Sequence, residues 1–195
     1  MTPSIQMCLE IMDKYEMLEN IKAHSIMVAR VAHVITVGLG PKAQEMSKGL
    51  ILAGALLHDI GKTEALKHGG DHVQIGQEIC REEGFEELVP IVAEHVVLKS
   101  FSADGKITEK EVVYYSDKRV NHDQVVALEE RLAYILKRYA SRNPELKDPI
   151  VHNFNICRKV EQKLFEGLEF RPSEIGNLVH KMRFPFNHSK TALKK

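Results

Sequence analysis

Residues Leu50 to Lys62 read LILAGALLHDIGK. The first eight are apolar on every side of a helical projection, and a helix of that kind is normally central and buried. Gly49, Ala53, Gly54 and Ala55 are small enough to let neighbouring elements approach closely. His58 and Asp59 then end the apolar run. An ionisable pair at the end of so much hydrocarbon is costly unless something compensates it. A divalent metal is one such compensator, and imidazole with carboxylate suits iron, manganese, cobalt, nickel or zinc. Neighbouring helix residues point about 100° apart, yet both side chains reach one pocket where a helix ends, and the two oxygens of Asp59 can bridge two ions. The stretch is predicted to close a helix from Lys42 to Asp59, stopped by Gly61 as a left-handed cap.

Outward from this segment the periodicity is helical throughout. A first helix begins near Pro3, with Ile5, Leu9, Met12 and Leu18 on its apolar side. A second runs from Ile21 to Val37, with His24, Val28, Val31 and Ile35 on one stripe, and ends at Gly38-Leu39-Gly40-Pro41. After Gly61 a glycine-containing loop leads to helices over 72–83 and 87–95. Residues 99–108 read as a loop, with Asp104-Gly105 as its turn signal. Further helices are predicted over 109–117, 123–142, 150–166 and 173–182. No alternating run is long enough to argue a sheet, so the fold class is all-α. Residues 1–125 are expected to form the core, and 126–195 to add helices that pack on the same domain. The polar tail 187–195 is expected to be disordered.

Net charge is +0 and the charged fraction is 28%, which gives no general attraction to nucleic acid or anionic membrane. The three cysteines, Cys8, Cys80 and Cys157, are far apart and include no CxxC pair, so neither a disulfide framework nor a thiolate zinc site is suggested. The longest apolar stretch falls far short of the ~20 residues that span a bilayer. The N-terminus lacks a signal-type apolar core. The sequence thus reads as cytoplasmic, without nucleic-acid or membrane partners. GxxxxGK[ST] is absent, which excludes a P-loop enzyme.

Two further residues join His58-Asp59. His24 lies on the apolar stripe of its helix, and Asp117 follows the apolar stretch Val112-Val113-Tyr114-Tyr115. Taken singly, His24 could be a satisfied core histidine and Asp117 a cap. In order, His24, His58-Asp59 and Asp117 resemble the H…HD…D signature of the HD-domain superfamily. ALLHDIGK (55–62) resembles its HDIG motif, HSIMVARVAHVI (24–35) its first-histidine helix, and YYSDKRV (114–120) its last-aspartate helix. The resemblance spans about half the chain. It implies a helical bundle around one or two divalent transition-metal ions and hydrolysis of phosphate esters or anhydrides, often of nucleotides.

Carried over by position, His24, His58, Asp59 and Asp117 hold a first ion. His72 in GDHVQIGQEI (70–79) and His95 in IVAEHV (91–96) match the stretches that hold a second, with Asp59 bridging. Asp59 and Lys62 are the candidate catalytic residues. Lys62 and Arg119 are the candidate phosphate contacts, while Lys118 faces either phosphate or water. Glu94 is a candidate to orient a ligand, and loop 99–106 a candidate lid. His68, His122, His152, His180 and His188 match no family position and read as surface residues. Gly-Tyr-Pro, which marks the cyclic-di-GMP phosphodiesterases of this superfamily, is missing from HVVLKSFSADGK (95–106). A small phosphorylated substrate is the expected partner, and a homodimer is compatible with the amphipathic C-terminal helices. The same six ligands would also serve a di-iron oxygenase or a non-catalytic nucleotide-binding regulatory domain.

Overall fold

A computed structural model describes residues 1–185; the polar tail, with His188, lies outside the described residues. Ten α-helices carry the fold in chain order: α1 (Ile5–Lys14), α2 (Glu19–Gly38), α3 (Lys48–Leu57), α4 (Lys62–His68), α5 (His72–Glu82), α6 (Val89–Glu94), α7 (Glu109–Lys118), α8 (Leu128–Ile135), α9 (Lys147–Phe165) and α10 (Ile175–Lys181). A single two-stranded hairpin, β1 (Val120–Asn121) with β2 (Gln124–Val125), separates α7 from α8, so among the described residues the fold is an all-α bundle with one minor ladder.

The apolar helix α3 is the axle, as its composition requires. It touches α1, α2, α6 and α7, and Ile51 to Leu57 are all buried. Each of Ile51, Leu56 and Leu57 contributes about 1.5–3 kcal/mol by leaving water. Gly54 lets α6 in, because a Cβ there would stand 2.8 Å from Ile91 Cγ2. The helix is shorter than the expected 42–59. Gly40–Ala43 forms a 3₁₀ turn, and the Ser47 hydroxyl accepts from Leu50 N–H at 3.2 Å to start α3.

Helix α7 is the second buried element, with Glu111 to Lys118 all inside. A capping box fixes its start: Glu111 N–H donates to the Thr108 hydroxyl, and Thr108 N–H donates to the Glu111 carboxylate. Helix α9 covers α7, with the Tyr114 hydroxyl donating to Asn153 and Lys163 paired with Glu111.

Three further expectations are corrected. Residues 62–68 form α4 where a loop was expected, since Thr63, Glu64, Ala65, Leu66 and Lys67 sustain a helix up to Gly69-Gly70. The continuous helix expected over 123–142 is instead the hairpin, α8 and a π-helical turn at Leu136–Ala140. The turn-forming run Asn121-His122-Asp123 breaks it, with His122 at φ +54°. Gly61 is not a left-handed cap: its φ is −77°. It is glycine because a Cβ would stand 2.4 Å from His72 O and 2.5 Å from Gly76 N, where α5 lies against the turn that leaves α3. No described helix is long and apolar enough to cross a membrane.

Candidate metal centre

His58 and Asp59 sit in the tight turn between α3 and α4, closed by Ile60 N–H to Leu57 O and Lys62 N–H to Asp59 O. Both are almost fully buried. The fold brings His24 from α2, His72 from the start of α5, His95 from the end of α6 and Asp117 from α7 to the same place. Nitrogen and oxygen donors of His24, His58 and Asp59 lie within 4.8 Å of one another, and so do those of Asp59, His72 and His95.

Asp59 stands between the two groups. Its Oδ2 faces His58 Nε2 at 3.5 Å, and its Oδ1 faces His95 Nε2 at 3.4 Å and His72 Nε2 at 3.7 Å. Asp117 Oδ1 lies 3.0 Å from His24 Nε2 and 3.7 Å from His58 Nε2. All six residues expected as ligands are therefore gathered in one cluster.

Three of the histidines are oriented by the backbone. Nδ1–H donates to a carbonyl in each: His24 to His122 O at 2.8 Å, His58 to Ala55 O at 2.8 Å, and His95 to Val92 O at 2.7 Å. A carbonyl only accepts, so these bonds place the proton on Nδ1 and leave the Nε2 lone pair facing inward, the arrangement that metal-binding imidazoles need. His72 has no such bond; its Nδ1 is 3.9 Å from Asp71. His58 Nε2 is buried without a hydrogen-bond partner among the described residues. An orphaned nitrogen among carboxylates fits a divalent ion, and the imidazole-carboxylate donor set fits iron, manganese, cobalt, nickel or zinc.

Protonation follows the same geometry. Burial pushes His58 down to about 3, against the opposing pull of Asp59 and Asp117, so it stays neutral. Burial also lowers His72. Burial alone would raise Asp59, but the Lys62 ammonium that donates to it opposes this, and its carboxyl lies well below the usual range. Asp117 is likewise held well below that range, with the Lys118 ammonium outweighing its burial. Both carboxylates are thus ionised and both of these imidazoles neutral, the forms that bind metal.

The basic residues divide differently from the sequence expectation. Lys62 donates to Asp59 Oδ2 at 2.8 Å and keeps 38% of its side chain exposed. Burial would lower it, but Asp59 raises it on balance, so it is a cation at the edge of the centre. Arg119 is not brought to the centre. Its buried guanidinium donates to Val126 O, the Tyr115 hydroxyl and Pro172 O. Lys118 turns inward instead, donating to Asp117 Oδ2 at 2.7 Å and His95 O at 2.8 Å. Glu94 does not orient a histidine; it accepts from Lys99 N–H and from Lys110. Loop 99–106 is fastened by Lys163 to Ser102 O and Lys106 O. Lys163 also holds Glu111, in the first turn of α7 and about 9 Å along the helix from Asp117. A fastened loop, rather than a lid, is what these contacts describe.

Two contributors were missed in the sequence. The His122 carbonyl, presented by a left-handed backbone, anchors His24. Arg131 on α8 brings Nη2 to 3.9 Å from Asp117 Oδ1. Neither belongs to a motif; the only available signal was the turn composition around His122.

A family model described as HD domain matches residues 21–139. An uncharacterized protein of Methanocaldococcus jannaschii is 26% identical over 151 residues, covering 71% of this chain and 88% of that protein. A bifunctional uridylyltransferase/uridylyl-removing enzyme of Vibrio vulnificus is 32% identical over 143 residues, 67% of this chain but 15% of that protein. A ribonuclease Y of Sulfurovum sp. is 41% identical over 63 residues, 32% of this chain and 11% of that protein. The chain thus spans most of the first relative and a small part of the other two. No solved structure matches significantly.

Proposed function

The chain belongs to the HD-domain family, whose members are generally metal-dependent phosphohydrolases, and from that premise we propose that it hydrolyses a phosphate ester or anhydride, of a nucleotide by preference, through attack of water on phosphorus. The observation that carries this reading is Asp59, one oxygen toward His58 and the other toward His72 and His95, beside an unpartnered buried His58 Nε2. His24, His58, Asp59 and Asp117 would hold one ion, and Asp59, His72 and His95 a second. A divalent ion held by these residues would lower the pKa of a bound water toward neutrality and take up charge on phosphoryl oxygens.

The protein's own groups supply the rest. The Nδ1–H bonds of His24, His58 and His95 fix ring orientation and tautomer. Lys118 holds Asp117 and the His95 backbone in place from inside. Lys62, charged and partly exposed, is the group at the mouth that can leave Asp59 for a phosphoryl oxygen of the substrate. The nucleotide preference is supported by two relatives whose names describe a ribonuclease and a uridylyl-removing enzyme, since both activities act at a nucleotide phosphoester.

The test is turnover of a panel of nucleotides, dinucleotides and simple phosphoesters by metal-reconstituted protein. Release of phosphate or nucleotide by wild type, and none by Asp59→Ala, supports the reading. Oxygen consumption by the iron form without phosphoester cleavage would replace it with the oxygenase alternative.

A further inference from the structure

The cations around the centre do not simply neutralise its carboxylates. Lys62 bonds Asp59, and Lys118 bonds Asp117. Arg131 is a third cation with a different status. Its side chain is 13% exposed, and its Nη2 lies 3.9 Å from Asp117 Oδ1, beyond hydrogen-bond reach. Its Nη1 donates to Asn121 Oδ1 at 2.9 Å, and its Nε is buried without a partner among the described residues. Arginine carries five N–H donors and stays charged at any physiological pH. Keeping it largely buried with donors unmet is costly. Asp117 already has a cation, because Lys118 donates to its Oδ2 at 2.7 Å.

The chain nevertheless builds a support for this side chain. The β1–β2 hairpin turns the backbone so that α8 follows α7 closely. Val126 N–H donates to Arg119 O, while Arg119 Nε donates to Val126 O, clamping the approach to α8 onto the end of α7. Ala127 N–H donates to Glu130 and fixes the first turn of α8. The Arg131 guanidinium lies over the Tyr134 ring at 5.7 Å, and Tyr134 meets the His122 ring edge-on at 5.3 Å. His122 is the residue whose carbonyl anchors His24. One small unit therefore positions both a ligand histidine and an arginine with donors to spare.

We propose that Arg131 is a substrate-positioning residue that receives a phosphoryl oxygen at the Asp117 end of the centre, as Lys62 does at the Asp59 end. The planar fork of a guanidinium matches a tetrahedral oxyanion in a way an ammonium does not, and the Asn121 bond and the Tyr134 ring restrict where that fork points. Specificity for a phosphoryl group then comes partly from α8, which contributes none of the six ligands. This rests on the phosphohydrolase reading, so its test includes a measurement that needs no turnover.

Inorganic phosphate is titrated calorimetrically into metal-loaded wild type, Arg131→Ala and Arg131→Lys, with metal content and thermal midpoint measured on the same samples. Loss of charge-assisted hydrogen bonds should weaken phosphate about tenfold or more in Arg131→Ala. Turnover measured as kcat/KM should fall about 100-fold, on the scale of removing one preorganised donor. Added guanidinium should restore part of both, Arg131→Lys should remain impaired, and metal content should match wild type. Unchanged phosphate affinity in Arg131→Ala, no phosphate binding by wild type, or a loss of affinity that tracks loss of metal would each overturn the assignment. Phosphate held through Arg131 without turnover of any phosphoester leaves the inference standing and removes the reaction proposed above. Turnover indifferent to Arg131 does the reverse.

Discussion

Replacing Gly61 by alanine should remove one metal equivalent and leave the rest of the centre in place. The new Cβ would stand 2.4 Å from His72 O and 2.5 Å from Gly76 N, both backbone atoms, whereas ordinary contact begins at 3.4 Å. The turn and the start of α5 must therefore separate by about 1 Å, the difference between those two distances. The turn is held by its two internal hydrogen bonds and by the buried helix α3, so α5 is the element that yields. His72 is the first residue of α5. Metal–ligand distances tolerate about 0.2 Å, so a displacement of this size takes His72 out of the group it forms with Asp59 and His95. His24, His58 and Asp117 come from α2, the end of α3 and α7, and stay. Overpacking of this kind costs about 1–3 kcal/mol, and at about 2–4 °C per kcal/mol for a chain of this length the metal-free midpoint should fall by several degrees. Elemental analysis and a thermal melt on the same samples check both parts. A Gly61→Ala protein with wild-type metal content and an unchanged midpoint would refute the close-approach argument.

Two further outcomes follow from the buried charges. In the metal-free protein His58 is held down to about 3 from an ordinary 6.5, so the unfolded chain takes up a proton that the folded chain refuses. Stability from this group is complete above pH 6.5 and is lost as pH falls toward 3, at about 1.4 kcal/mol per pH unit. Urea midpoints between pH 6.5 and 4.5 should show this slope, and His58→Gln should reduce it by about one proton; equal slopes would contradict the burial argument. Lys118→Met should destabilise the metal-free protein by about 3–5 kcal/mol, because it strips a partner from buried Asp117 and from the His95 carbonyl. A midpoint within a degree of wild type would show that the ammonium is not needed there.

The features legible in the sequence were those with a strong local cause. The all-round apolar run in α3 could only be an axle, and His58-Asp59 at its end was conspicuous for that reason. The six candidate ligands were legible because the motif order names them. Lys118 and Arg119 were less so. Adjacent helix positions point about 100° apart, and nothing local says which of the two faces the centre. The structure sends Lys118 inward and binds Arg119 to Tyr115 and Pro172. Gly61 reads as a cap from its neighbours, while its actual constraint is the backbone of α5, more than ten residues later in the chain. The hairpin was hidden because strands of two residues leave no alternating pattern. Arg131 was hidden with it, since it comes near Asp117 only through the chain reversal between α7 and α8, which no local pattern announces.

Asp59 stands between two ligand groups, with His58 on one side and His72 and His95 on the other. Metal equivalents per chain, measured after reconstitution with manganese, cobalt or iron, test it most directly across wild type, His72→Ala and Asp59→Ala. Two equivalents are expected in wild type, one in His72→Ala and none held tightly in Asp59→Ala. A wild type that takes up no metal, or an Asp59→Ala protein that keeps both ions, would contradict it.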